Sequence, residues 1–348
     1  PPPPPPPPPP HFSRIRRHTR FLHRSRGLGD VYKRQTTRSL KLFADGELQQ
    51  RVKQAQETLK NCDLCPRNCA VNRYEGELGI CSTGRYARVA SYAAHFGEEQ
   101  PISGRYGSGT IFFASCNLKC CFCQNYDISH FSEDFQEMSP RQLAAVMLHL
   151  QDKKCHNINL VSPSHVVPQI LEALVLALEQ GLTIPLVYNS SGYESTDTLA
   201  LLDGIIDIYM PDFKFWNPAT GKNYCNAEDY PGITRIATSI MHEQVGDLVI
   251  DDDGIAVQGL LVRHLVMPDG LDETKKILRF IAESVSPRTY VNIMDQYRPC
   301  GSSDEHPELG RPISSDEYRR SIQCASQAGL KRLDQMDLSS LFRKLGIV

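Results

Sequence analysis

The chain has 348 residues, 41% hydrophobic and 22% charged, enough for one large or two ordinary domains with a buried core. Its apolar stretches break within about ten positions, too short for a membrane span, and a net charge of −2 offers no basic footprint for nucleic acid. Twelve cysteines are too few for a disulfide scaffold, and seven of them, in two tight groups with one outlier, give the pattern of metal ligation in a reducing compartment such as the cytoplasm.

Residues 1–35 stand apart. Ten prolines precede a stretch with eight Lys or Arg and one acidic residue, which leaves residues 36–348 acidic, with 30 basic against 39 acidic side chains. Asp30-Val31-Tyr32-Lys33-Arg34-Gln35 reads as a translated library adapter behind a homopolymer, so the segment is expected to be artefactual. The competing reading is a disordered basic arm or transit peptide, which the Arg14, Arg16, Arg17 and Arg20 pattern suits.

Residues 36–100 form an N-terminal module. A short helix over 45–60 leads into Cys62, and a Cys-rich, Gly-punctuated segment runs to Gly84 with too few periodic apolar positions to build a core alone. It needs a metal or a neighbour. Over residues 101–335 short apolar runs alternate with amphipathic stretches, the signature of βα units and a parallel sheet. Strands are predicted at 110–115, 157–161, 184–188, 205–210, 260–266 and 290–294. Helices are predicted at 139–151, 165–180, 195–203, 227–243, 271–285 and 314–328. Ser139-Pro140 and Asp316 suit helix starts, and Gly181 and Gly329 suit helix ends. Residues 248–258 around Asp252-Asp253-Gly254 predict a hairpin ahead of the fifth strand; the acidic run lacks the later Glu of a calcium loop. Residues 336–348 are a tail. The expected fold is α/β: an open, partial βα barrel of about six strands behind a small Cys-rich module, with chemistry beyond the C-terminal strand ends.

Cys116, Cys120 and Cys123 form C-x3-C-x2-C directly after the first predicted strand. Three thiolates on one loop can bind three corners of a [4Fe-4S] cluster and leave the fourth iron without a protein ligand. A fully ligated cluster would only transfer electrons, and a zinc site normally uses two separated ligand pairs. Cys121 is read as packing. Cys62, Cys65, Cys69 and Cys81 form C-x2-C-x3-C-x11-C, which fits a structural zinc, a second iron–sulfur cluster or free thiols.

The C-x3-C-x-aromatic-x-C loop after strand one resembles that of the radical S-adenosylmethionine (SAM) superfamily. That resemblance implies that the open iron chelates the methionine portion of SAM, and that one electron cleaves it to methionine and a 5′-deoxyadenosyl radical. It places Phe122 near the adenine. Cys62-Asp63-Leu64-Cys65-Pro66-Arg67-Asn68-Cys69, followed by Asn72-Arg73, Gly76, Gly79 and Cys81, is similar to the N-terminal signature of the pyruvate formate-lyase activating enzyme-like subfamily. Ser162-Pro163-Ser164-His165, Tyr188 to Tyr193, Asp207 to Lys214, Arg263 to Pro268 and Asn292 to Tyr297 are similar to its later blocks, so the likeness covers about residues 60–335. It implies an oxidoreductase whose substrate is a glycine on a partner glycyl-radical enzyme, fed by flavodoxin or ferredoxin. Two departures stand out: Ser162 to His165 occupies the place of the Gly-Gly-Glu segment that holds the SAM ammonium, and the extra cysteines precede the radical loop instead of following it. A radical SAM enzyme acting on another protein or a small molecule, and a non-catalytic iron–sulfur electron carrier, are the alternative readings.

Polar residues at strand ends are the remaining candidates for cofactor contact. Asn189 or Asp212 suits the ribose hydroxyls, and Lys214 or Arg263 the SAM carboxylate. His165 and Ser162 follow the second strand, with His165 expected to be exposed there. His264 alternates with apolar neighbours and is expected to be a satisfied core residue. Cys155, Cys225 and Cys300 are single.

Overall fold

Sequence patterns place a run of parallel strands from Gly109 onward, and the chain builds one. The structure, a computed structural model, describes residues 37–131 and 134–334, all in the unit Thr36–Val348; the expectations for residues 1–35 and 336–348 lie outside them. The elements are α1 (Arg38–Ala44), α2 (Glu47–Glu57), β1 (Ala87–His95), α3 (Gln100–Ser103), β2 (Ser108–Phe113), α4 (Tyr126–His130), β3 (Glu137–Met138), α5 (Pro140–Asp152), β4 (Ile158–Val161), α6 (Val167–Glu179) and β5 (Leu186–Ser190). There follow α7 (Thr196–Leu202), β6 (Ile208–Pro211), α8 (Pro218–Cys225), α9 (Tyr230–Val245), β7 (Val249–Ile250), β8 (Ala256–Leu265), α10 (Leu271–Phe280), β9 (Tyr290–Met294), α11 (Ser315–Ala328) and β10 (Arg332–Leu333).

The sheet runs in the order β10-β9-β8-β6-β5-β4-β2-β1-β3 and does not close. From β2 to β10 every path neighbour is parallel, so all those strands present their C-terminal ends on one side. The six predicted parallel strands are all present, with ends displaced by a few residues. A seventh, β10, pairs with β9, and an antiparallel strand, β1, flanks β2. The hairpin at 248–258 appears as β7 against β8. The helix expected over 227–243 is α9, with Pro231 in its first turn; α8, for which the sequence predicts no helix, precedes it and ends in left-handed Asn226. Capping boxes at Ser139/Gln142 and Ser314/Glu317 start α5 and α11.

One face of the sheet packs on helices. Ile158, Leu160 and Tyr188 lie in one buried cluster with Leu143 and Met147 of α5 and Leu171 and Leu174 of α6. Each fully buried Leu or Ile there contributes about 1.5–3 kcal/mol. The other face is concave. Glu99, just after β1, bonds Arg263 of β8 and Asn292 of β9, and Ile102 clusters with Val187, Ile208 and Leu261. A segment at one edge can reach strands near the other only if the sheet curls, which makes it a partial barrel. Among the described residues no helix is long and apolar enough to cross a membrane.

Candidate functional site

The three-cysteine loop leaves the end of β2 through Ser115, whose φ of 72° is left-handed, and turns again at Lys119, φ 50°. Such backbone is costly for residues with a Cβ and persists where surroundings over-determine it. They do so here. Ser115 N–H donates to Ile128 O at 2.7 Å and its hydroxyl to the Cys81 carbonyl. Asn117 Nδ2 donates to Tyr193 O at 2.8 Å, and the Leu118 N–H points at Cys116 Sγ, 3.4 Å away. From the far side, Ser302 N–H donates to Cys121 O at 2.8 Å and Cys300 Sγ to Phe122 O at 3.1 Å. Gly301, at φ 60°, is the residue that allows this approach, since a Cβ there would overlap the Cys121 carbonyl and the Tyr126 ring.

Cys116, Cys120 and Cys123 lie close enough to act on one another's charge, and burial pushes the Cys116 thiol up to about 12. The Cys120 thiol is held below its ordinary value by a hydrogen bond from Cys225 and, against burial, by the charge of buried Lys214. Lys214 in turn pairs with Asp212, one residue past β6. Burial opposes the Lys214 charge, but Asp212 and Cys120 outweigh it and keep the ammonium protonated. A cluster with net negative charge fits a donor set of three thiols beside a fixed cation.

Other predicted residues are placed as follows. Ser162 sits at the end of β4 with φ 56°, its N–H on Asn189 O at 2.9 Å. Asn189 ends up on the concave face, its Oδ1 accepting from Arg263 Nη1 at 3.3 Å. Phe122 is 3% exposed in a ring cluster with Phe215, Tyr224 and Tyr297, centroids 5.8–6.3 Å apart. Two expectations need correcting. His165 is buried, not exposed: Nε2 meets Ala114 O at 2.9 Å, its carbonyl accepts from Arg73, and burial lowers its pKa to about 4. Arg263 does not face an open ligand position, because its guanidinium is engaged by Glu99 at 2.7 Å through both Nε and Nη2, by Glu98 and by Asn189. His264 is the satisfied core residue the sequence suggested, with Nδ1 on Phe213 O and Nε2 on Thr274 Oγ1, both at 2.8 Å.

In the N-terminal module, Cys62, Cys65 and Cys81 surround the guanidinium of Arg73, which is 2% exposed. Its Nη2 donates to Cys81 Sγ at 3.4 Å and its Nη1 to His165 O at 2.8 Å, while Nε has no partner among the described residues. Cys69 packs on Gly79, where a Cβ would come within 2.7 Å of its sulfur. Burial pushes the Cys65 thiol up to about 12, so a metal would have to displace its proton. Among the described residues no group of three or more His, Cys, Asp or Glu side chains is gathered closely enough to hold a metal ion, either in this module or in the three-cysteine loop.

Three polar groups were not legible as site residues: Arg67, Glu98-Glu99 and Glu194. Glu194 is fully enclosed against Ser164 and Tyr188, and burial, only partly offset by these hydrogen bonds, raises its pKa to about 7. Arg67 lies between two module cysteines, a position that could have marked it; a Glu-Glu pair before Gln-Pro reads as solvated surface.

No family model matches the chain. It is 32% identical over 287 residues to uncharacterized protein MJ0674 of Methanocaldococcus jannaschii, covering 80% of this chain and 78% of that one. The chain belongs to the family of that archaeal protein. A second protein of the same organism, uncharacterized protein MJ0808, is 25% identical over 293 residues, 78% of this chain and 79% of its own length. Among solved structures, native anSMEcpe with bound AdoMet shares 9% identity over 67% of this chain and 60% of that chain, TM-score 0.42. Streptococcus suis SuiB bound to precursor peptide SuiA shares 11% over 66% of this chain and 49% of that chain, TM-score 0.43. The chain thus spans about half to three-fifths of the length of these solved structures.

Proposed function

We propose that the chain is a radical SAM enzyme in which Cys116, Cys120 and Cys123 hold a [4Fe-4S] cluster and SAM takes the open iron. The observation that carries this is the junction of β2 with the C-x3-C-x2-C loop: three mutually close thiols at the C-terminal mouth of an open parallel sheet, with the Lys214–Asp212 pair beside Cys120. When bound, the cluster supplies the electron that cleaves SAM to methionine and a 5′-deoxyadenosyl radical. The protein's part is to place and to insulate. Lys214 holds positive charge next to the thiolates and can pair with a carboxylate; Asp212 fixes it there and can accept from a ribose hydroxyl. Asn189 and Ser162 line the neighbouring strand ends. Phe122 and its ring neighbours keep water from one flank. Arg263 and His165 act behind this layer as positioning groups.

Within this reading the substrate class is a backbone glycine on a partner protein, with flavodoxin or ferredoxin as reductant; another protein or a small molecule is the alternative. For the N-terminal cysteines the readings are zinc or a second cluster, either of which would have to draw the thiols together, or free thiols. No two of the twelve cysteines are joined in a disulfide. The test is anaerobic reconstitution with iron and sulfide, then dithionite and SAM, with 5′-deoxyadenosine read by chromatography. Its formation, and its loss in Cys123→Ala, is expected. A cluster that forms yet never cleaves SAM makes the chain an electron carrier. A glycyl-radical signal in a co-purified partner would identify the substrate.

A further inference from the structure

Arg67 stands in the N-terminal module between Cys65 and Cys69, yet its bonds all leave the module. Nε donates to Asn117 O at 2.8 Å, and Nη2 donates to Leu118 O at 3.1 Å and to Cys225 O at 2.8 Å. Nη1 donates to Asn226 O. The first two carbonyls belong to the turn between Cys116 and Cys120; the last two are at the C-terminal end of α8, where unpaired carbonyls gather and a cation is favoured. The guanidinium also lies over the Tyr193 ring, 5.3 Å from its centroid, while Tyr193 O accepts from Asn117 Nδ2. One side chain therefore ties the radical loop to α8 on either side of the Cys120–Cys225 contact.

The geometry points to Arg67 as a positioning residue through which the four-cysteine module clamps the three-cysteine loop, so that closure of the module and retention of the cluster are coupled. The clamp itself is read from the metal-free chain; its bearing on the cluster rests on the function proposed above. The Cys81 carbonyl adds a second tie, to the Ser115 hydroxyl immediately before Cys116. Asn68 and Ala70, at φ 43° and 55°, follow the arginine with left-handed backbone that closure must hold. A lysine cannot replace the fork: four carbonyls in two directions suit a planar guanidinium with five N–H groups, not a single ammonium.

The test compares alkylation rates in the metal-free chain by mass spectrometry. Cys120, 8% exposed, reports on the loop, and Cys155, 3% exposed before β4 at the opposite end of the strands, reports on the rest of the fold. Arg67→Met is expected to raise the Cys120:Cys155 rate ratio on the order of tenfold or more, since several charge-assisted hydrogen bonds are lost together. Arg67→Lys should give a smaller rise and serves where the methionine variant fails to accumulate. Cys62→Ser/Cys65→Ser should raise the ratio as Arg67→Met does. An unchanged ratio in the arginine variants overturns the clamp. In the reconstituted protein, a ferrous chelator should strip iron on the order of tenfold faster from Arg67→Met than from wild type. Should wild type take up no iron while the labelling ratio still rises, the clamp stands and the cluster assignment falls.

Discussion

Arg263→Met removes the cation from the concave face of the sheet. Glu99 is 3% exposed and accepts from Arg263 Nε and Nη2 and from Asn292 Nδ2, each at 2.7 Å; Glu98 also accepts from Arg263 and pairs with His95. Breaking one side of a buried ion pair costs about 3–5 kcal/mol, because the remaining carboxylates stay buried without a counter-charge. The same interaction seen from Glu98 has a similar size. Burial alone would raise its carboxyl, but the Arg263 charge and the His95 and Arg263 hydrogen bonds hold it at about 2, against an ordinary 4.5. That difference corresponds to about 3 kcal/mol of stability. At about 2 °C per kcal/mol or slightly less for a chain of this length, the variant should melt about 5–10 °C below wild type at pH 7. The pH dependence gives the sign. A carboxyl lowered in the folded state stabilises above pH 4.5, and that contribution is lost as pH falls towards 2. The gap between wild type and Arg263→Met, followed by circular dichroism, should therefore narrow on acidification. A variant that melts with wild type but no longer binds SAM would refute the reasoning and return Arg263 to the cofactor site.

Three further outcomes follow from single positions. Glu194, raised to about 7 by burial, contributes stability that is full below its ordinary 4.5 and lost as pH rises through 7; Glu194→Gln should raise the melting temperature at pH 8, by about 1–3 kcal/mol of stability, and do little at pH 5, with equal effects at both pH values counting against it. Gly301→Ala should cost about 1–3 kcal/mol and speed iron loss to a chelator, because the new methyl meets the Cys121 carbonyl and Tyr126; unchanged iron retention would show that the 300–302 segment does not hold the loop. Metal analysis of Cys116→Ala/Cys120→Ala/Cys123→Ala should still find bound zinc or iron, lost when Cys62 and Cys65 are also replaced, and a metal-free triple variant would remove the module's metal.

The βα alternation was legible because the six predicted parallel strands are short, mostly apolar and mostly buried runs, and helices such as α5 and α11 show their caps; β10, a half-exposed Arg-Leu pair, gave no such signal. β1 was not legible either: Ala-Arg-Val-Ala-Ser-Tyr-Ala-Ala-His is small and half-exposed, and takes its strand form from pairing with β2. The three-cysteine loop could be read from spacing alone, since spacing is local. What surrounds it could not. Arg263 reads as a free carboxylate partner until the segment after β1, more than 160 residues earlier in the chain, brings Glu98 and Glu99 across the curled sheet. His165 follows a strand end as an exposed ligand would, but the Arg73 of a distant module covers it. Charges that are satisfied by tertiary contact look in sequence like charges waiting for a ligand.

The open iron itself is tested most directly by electron paramagnetic resonance of the dithionite-reduced protein, with Cys62→Ser/Cys65→Ser used to silence the module. Adding SAM should shift the g-values of the remaining reduced cluster, and Cys116→Ala should abolish the signal. A cluster signal that SAM leaves unmoved, or one that survives loss of Cys116, would contradict a cofactor bound at an iron held by Cys116, Cys120 and Cys123.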